Sequence, residues 1–250
     1  MQFLKTIKVF YNTLSDIFQT KTTDDGVEYI WRRGHSTTLI VIFSGMGKAR
    51  YNYKKTMKAC HSDLLFIRDV WAQHVSYYWY EKQSNHPELL TSSLIDKILQ
   101  LGTYQSLVTI GSSKGGTAAL YFGLKHGAKT IIAGAPQYYV GQYLSDYQYR
   151  IVPWQWKAVV GGEPCKQWID ILDHKLPDMI SANKGTSTVI HLVYSTNEHT
   201  YPEHIVDLVK DLDTACIKHF DRIEHFNDHA LIGRAFTRAL HELIPVITSY

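Results

Sequence analysis

Gly111-Ser112-Ser113-Lys114-Gly115 places a serine between two glycines. An apolar run, Ser106 to Ile110, precedes it, and a stretch of small and apolar residues, Gly116 to Leu124, follows. A serine hydroxyl is a poor nucleophile until a base takes its proton and donors stabilise the charge that develops on the substrate. A strand, a tight turn and a helix supply part of this setting. The turn holds the serine in a strained conformation, and glycine two residues to either side lets strand and helix approach without a Cβ clash. The helix N-terminus behind it favours negative charge. Ser113 is therefore the candidate nucleophile.

A nucleophilic serine needs a histidine, and the histidine needs an orienting acid. Two polar loops downstream offer them in the order serine, acid, histidine. The first, Ser195-Thr196-Asn197-Glu198-His199, follows the apolar run Thr188 to Tyr194. The second, Phe226-Asn227-Asp228-His229-Ala230, follows Ala215 to Phe220. His229, just before the last helical pattern, is the candidate base; its rival His225 lies closer to the strand. Glu198 is the favoured acid. Asp207 falls inside the next helical pattern, and Asp228 is better placed to cap the final helix. For the oxyanion hole the expected donors are the Lys114 N–H and an N–H of Gly45 or Met46, in the loop Ser44-Gly45-Met46-Gly47. The Lys114 side chain either lines the site or reaches solvent.

Other chemistries lack their residues. A phosphate-binding loop needs its lysine after the second glycine, and here Lys114 precedes Gly115-Gly116. There is no His-Glu-x-x-His, no Cys-x-x-Cys and no dinucleotide fingerprint. Nothing in the sequence calls for a metal or an organic cofactor.

The elements that must position these residues alternate. Strands are expected at Val27–Arg33, Thr37–Phe43, Leu64–Arg68, Ser106–Ile110, Lys129–Ala133, Thr188–Tyr194 and Ala215–Phe220. Helices are expected at 3–20, at Tyr53–His61, from Pro87 to Leu101, after the serine, near Pro202 and from Ala230 to Leu243. This pattern predicts an α/β fold with a mostly parallel, doubly wound sheet covered on both faces. One segment breaks the alternation. Residues 136–185 show no strand and open with many aromatics, among them Tyr138, Tyr139, Tyr143, Tyr147, Tyr149, Trp154, Trp156 and Trp168. It is expected to be a helical cap insertion in a single domain spanning 1–250.

The totals exclude several classes. Net charge is +3 over 250 residues, with lysines and arginines scattered, so nucleic acid is not the expected partner. Cys60, Cys165 and Cys216 form neither a zinc framework nor a disulfide scaffold and point to a reducing compartment. No apolar run is long enough to span a bilayer, and residues 1–8 lack a signal-peptide core. A cytoplasmic location follows as the expectation.

The chain resembles the α/β-hydrolase fold over nearly its whole length. Gly111 to Gly116, Gly134-Ala135-Pro136-Gln137-Tyr138 and Asn227-Asp228-His229 resemble a narrower group. It includes bacterial accessory Sec system proteins and capsular-polysaccharide biosynthesis proteins of the XcbB/CpsF type. The resemblance implies a serine-dependent acyl-group enzyme acting on a small-molecule or glycan acyl substrate, with Ser113, Glu198 and His229 as the triad. It leaves open an esterase or deacylase, an O-acyltransferase with the same machinery, and a non-catalytic accessory protein of glycan assembly.

Overall fold

The computed structural model describes residues 15–46, 50–145 and 153–248. Its frame is an eight-stranded sheet. The strands are β1 (Lys21–Thr22), β2 (Glu28–Arg32), β3 (Thr38–Phe43), β4 (Asp63–Ile67), β5 (Ser106–Ser112), β6 (Thr130–Gly134), β7 (Val189–Tyr194) and β8 (His219–Ile223). The helices are α1 (His86–Leu101), α2 (Lys114–Lys125), α3 (Val140–Ser145), α4 (Pro153–Val159), α5 (Lys166–Ala182), α6 (Val206–Thr214) and α7 (Ile232–Ile247). The sheet order is β1-β2-β4-β3-β5-β6-β7-β8. β2 runs antiparallel to β1 and β4, and every other neighbouring pair is parallel.

Continuous β-branched and apolar runs make the central strands, because both of their faces are buried. Every residue of β3 and β4 is buried. Leu39, Val41 and Phe43 join α1, α2, α5 and α6 on one face. Ile40 and Ile42 join Phe236 and Leu240 of α7 on the other. The chain leaves β3 toward β4 and returns to β5 on the opposite side of β3. The loops after β3 and β5 therefore diverge, opening the crevice where α/β sheets bind ligands.

Two expected elements take a different form. Tyr53–His61 is a run of turns rather than a helix. Tyr53 has φ +61°, and the Arg32 guanidinium takes the carbonyls of Met57 and Cys60, at 2.8 and 2.6 Å, that a helix would use internally. The last strand is His219–Ile223, not Ala215–Phe220. Ala215 and Ile217 are apolar because they close the end of α6, with their N–H groups bonded to Asp211 O and Leu212 O, and Cys216 turns the chain with φ +54°. Of the expected helix at 3–20, residues 15–19 are helical and 3–14 lie outside the described residues.

Within 136–185 the described residues form α3, α4 and α5 and no strand. α5 packs against α2 and α6, and α4 against the turn at Ala72–His74. Tyr138 and Trp156 are buried, whereas Trp154 is exposed. Tyr147 and Tyr149 lie outside the described residues. No helix among the described residues is long and apolar enough to cross a membrane.

Candidate active site

Ser113 stands at the junction of β5 and α2 with φ +54° and ψ −130°. A non-glycine residue in so sparsely populated a region costs about 1–3 kcal/mol and persists only where its surroundings dictate it. Here they do. Its N–H donates to Gly134 O on β6 at 2.7 Å, and its carbonyl accepts from Gly116 and Thr117. A Cβ at Gly111 would lie 2.0 Å from Gly115 O, and one at Gly115 would lie 2.6 Å from Phe43 O. The two flanking glycines let β5, α2 and the end of β3 meet at this spacing.

The loops after β7 and β8 bring Glu198 and His229 to the same point. His229 Nε2 lies 2.8 Å from Ser113 Oγ, and His229 Nδ1 lies 3.2 Å from Glu198 Oε2. Glu198 is buried, and it also accepts hydrogen bonds from the Thr200 hydroxyl and the Thr200 N–H. Burial alone would push its carboxyl up. The hydrogen bonds from His229 and Thr200 and the nearby His229 charge outweigh that and hold it below the usual carboxylate value. Buried Ser195 ties the two loops together: its hydroxyl donates to Phe226 O at 2.7 Å and accepts from the N–H groups of Phe226 and Asn197.

The rival residues are placed elsewhere. Asp228 Oδ1 accepts from the Ala230 N–H at 2.9 Å, capping the turn that leads into α7. Asp207 accepts from the Tyr139 hydroxyl at 3.1 Å. His225 is exposed.

The loop after β3 abuts the elbow, since a Cβ on Gly45 would meet Ser112 O at 3.0 Å. The Gly45 N–H already donates to Asn52 Oδ1 at 3.1 Å, whereas the Met46 N–H has no acceptor among the described residues. The Lys114 N–H lies in the first turn of α2, where N–H groups have no acceptor within the helix. Gly47 lies outside the described residues.

The Lys114 side chain does neither of the things expected of it. It runs inward, 1% exposed, to an ion pair with Asp69 Oδ2 at 2.6 Å and donates to His74 O at 2.7 Å. Burial lowers its pKa, against the pull of Asp69. Asp69 also accepts from the Ser76 hydroxyl at 2.5 Å. The residue that follows the serine is thus anchored to the loop after β4.

Gln137 belongs to the Gly134–Tyr138 motif, and its carboxamide reaches the site: Nε2 lies 3.3 Å from both Ser113 Oγ and His229 Nε2. His204, also buried beside the site, accepts from the Tyr139 N–H at 3.3 Å. Burial and neighbouring His199 push its pKa down to about 3, so its ring is neutral at ordinary pH. Glu198, His199 and His229 bring one metal-ligand atom each within 4.8 Å of one another. Glu198 and His229 already hydrogen-bond each other through Oε2 and Nδ1.

No protein-family model matches the chain, and no curated protein matches it significantly in sequence. Solved structures do. The capsule O-acetyltransferase of Neisseria meningitidis serogroup A superposes with a TM-score of 0.72 at 21% identity, over 92% of this chain and 94% of that one. A mutant of that acetyltransferase is also solved in complex with CoA. The Gap123 glycosylation-associated complex from Streptococcus agalactiae gives a TM-score of 0.68 at 20% identity, over 88% of this chain and 45% of that one. The fluorophosphonate-binding serine hydrolase FphF of Staphylococcus aureus gives 0.65 at 11%, over 90% and 96%. The chain has the α/β-hydrolase fold. The resemblance carried by Gly111–Gly116, Gly134–Tyr138 and Asn227–His229 extends to structural likeness with a capsule enzyme and a glycosylation protein along most of this chain.

Proposed function

We propose that this protein moves an acyl group from an activated donor to a hydroxyl acceptor through an acyl-enzyme on Ser113. The observation that carries the reading is the hydrogen-bonded run from Ser113 Oγ through His229 to Glu198, at 2.8 and 3.2 Å. His229 takes the Ser113 proton as Oγ attacks the acyl carbonyl, and Glu198 orients the ring and stabilises the imidazolium. The N–H groups of Lys114 and Met46 face the oxyanion. His229 then protonates the leaving group, and the acceptor hydroxyl releases the acyl chain by the reverse steps.

The likeness to a capsule O-acetyltransferase over nearly its full length supports a carbohydrate acceptor and an acyl thioester donor of the CoA class. A cytoplasmic enzyme would meet such donors. Within 136–185, α3 and α4 act as the cap: Gln155 Nε2 lies 3.8 Å from Met46 Sδ, and the Tyr143 ring stacks on His199 at 6.5 Å. The likeness to FphF supports a second reading, in which water replaces the acceptor and the enzyme is an esterase or deacylase. The Gap123 likeness would suit a non-catalytic accessory protein, against which the continuous run of hydrogen bonds weighs.

The test is intact-protein mass after incubation with acetyl-CoA or p-nitrophenyl acetate, and labelling with a fluorophosphonate probe. An acyl adduct and probe labelling that both vanish in Ser113→Ala are expected. Labelling that survives this substitution overturns the assignment.

A further inference from the structure

Gln137 forms a triangle with the two atoms that exchange a proton. Its Nε2 is 3.3 Å from Ser113 Oγ and 3.3 Å from His229 Nε2, which are 2.8 Å apart. The residue is wholly buried, and its placement is dictated from several sides. Ala135 holds φ +36°, with its N–H bonded to Val193 O at 2.8 Å. Pro136 fixes the next φ. The N–H of Gln137 donates to Thr117 Oγ1 and its carbonyl accepts from the same hydroxyl, both at 2.9 Å. The Tyr77 hydroxyl donates to Gln137 Oε1 at 3.5 Å, which turns the amide nitrogen toward Ser113 and His229.

That corner matters most after Ser113 is acylated. His229 Nε2 must then take a proton from the next nucleophile, which has to sit within about 3 Å of it and beside the ester carbon. The corner 3.3 Å from both Ser113 Oγ and His229 Nε2 is such a place. Gln137 fills it with an amide nitrogen, which donates hydrogen bonds and does not attack.

We propose that Gln137 screens the acyl-enzyme from hydrolysis, so that the acyl group waits for a carbohydrate hydroxyl. The inference rests on the acyl-enzyme reading above and concerns what separates transfer from hydrolysis within it. In hydrolysis, His229 takes a proton from water, the water oxygen bonds to the acyl carbon and the Ser113 ester C–O bond breaks. His229 returns the proton to Oγ, and a carboxylic acid leaves. In transfer the acceptor hydroxyl replaces water and an O-acyl sugar leaves, the same proton passing through His229. The His229 side chain is 17% exposed and so within reach of a bound acceptor.

The test compares wild type, Gln137→Ala and Gln137→Met, each acylated with p-nitrophenyl acetate, by following acyl-enzyme lifetime in buffer by intact mass. Methionine is about as long as glutamine and keeps the corner filled without a donor. Gln137→Ala is expected to shorten the lifetime by about tenfold or more, equivalent to about 1.4 kcal/mol off the barrier, because water is admitted. Gln137→Met is expected to retain the wild-type lifetime. An unchanged or longer lifetime in Gln137→Ala overturns the screen, as does equal shortening in both variants, which would assign the effect to the lost hydrogen bonds. Steady release of p-nitrophenol by wild type with no burst and no adduct also overturns the screen; the acyl-enzyme reading then stands if release and fluorophosphonate labelling vanish in Ser113→Ala and falls if they persist. No release and no adduct sinks both.

Discussion

The two halves of the candidate site are held by different forces. On the serine side the restraints are backbone contacts and a buried ion pair: the strained turn at Ser113, the approach of Gly115 to Phe43 O, and Lys114 locked to Asp69 with both side chains 1% exposed. On the histidine side His229 begins a short 3₁₀ turn with no buried residue, and its ring is placed by side-chain hydrogen bonds. The position of Ser113 is thus a property of the core. The position of His229 depends on a few replaceable bonds, chiefly those of Glu198 and the Ser195 clamp. Substitutions in the restraints of the serine side, the flanking glycines and the Lys114–Asp69 pair, should cost folding as well as function, whereas truncating the Ser113 or His229 side chain should cost function with little loss of fold.

The largest expected effects come from the reacting atoms. Ser113→Ala and His229→Ala should each lower acyl turnover by about 10⁶-fold with an unchanged thermal midpoint; residual turnover near wild type in either would remove that residue from the chemistry. Glu198→Gln keeps the shape and removes the charge, and should lower kcat by about 10⁴-fold. The same variant tests a pH dependence. The Glu198 carboxyl is held below its ordinary value of 4.5, so the stability it contributes is complete above that value and lost as pH falls through its lower native value. Glu198→Gln should flatten that part of the stability–pH curve measured by urea unfolding.

Next comes the anchor behind the elbow. Lys114→Met leaves Asp69 buried without its partner and should destabilise the fold by about 3–5 kcal/mol in denaturant titrations. A loss below about 1 kcal/mol, the range of a surface pair, would erase the distinction between the two sides. The smallest effect belongs to Asp228→Ala, which removes the cap on Ala230 N–H and should cost about 1 kcal/mol of stability with kcat nearly unchanged. If kcat collapses instead, Asp228 and not Glu198 serves His229.

Much of the fold was legible because it rests on short-range rules. Runs such as Thr38–Phe43 can only be strands buried on both faces, and alternation with helices implies a parallel sheet. The misplaced strand at Ala215–Phe220 shows where such rules fail. An apolar triplet can close a helix end as well as enter a sheet, and the true edge strand, His219–Ile223, is too exposed to look apolar.

The site divides in the same way. Gly111, Ser113 and Gly115 are readable from sequence alone, because the turn that needs them spans five residues and its steric demand is local. The candidates Glu198 and His229 are readable from their order along the chain and their place after strands. Tertiary structure alone decided that Lys114 turns inward to Asp69, that Asn52 takes the Gly45 N–H, and that Gln137 stands beside both Ser113 and His229. The Lys114 and Gln137 contacts depend on sheet order, since β3 lies beside both β4 and β5 and β6 beside β5, whereas Asn52 reaches Gly45 through the fold of the one β3–β4 connection. Residues distant in the chain meet there through strand pairing, which no local spacing encodes.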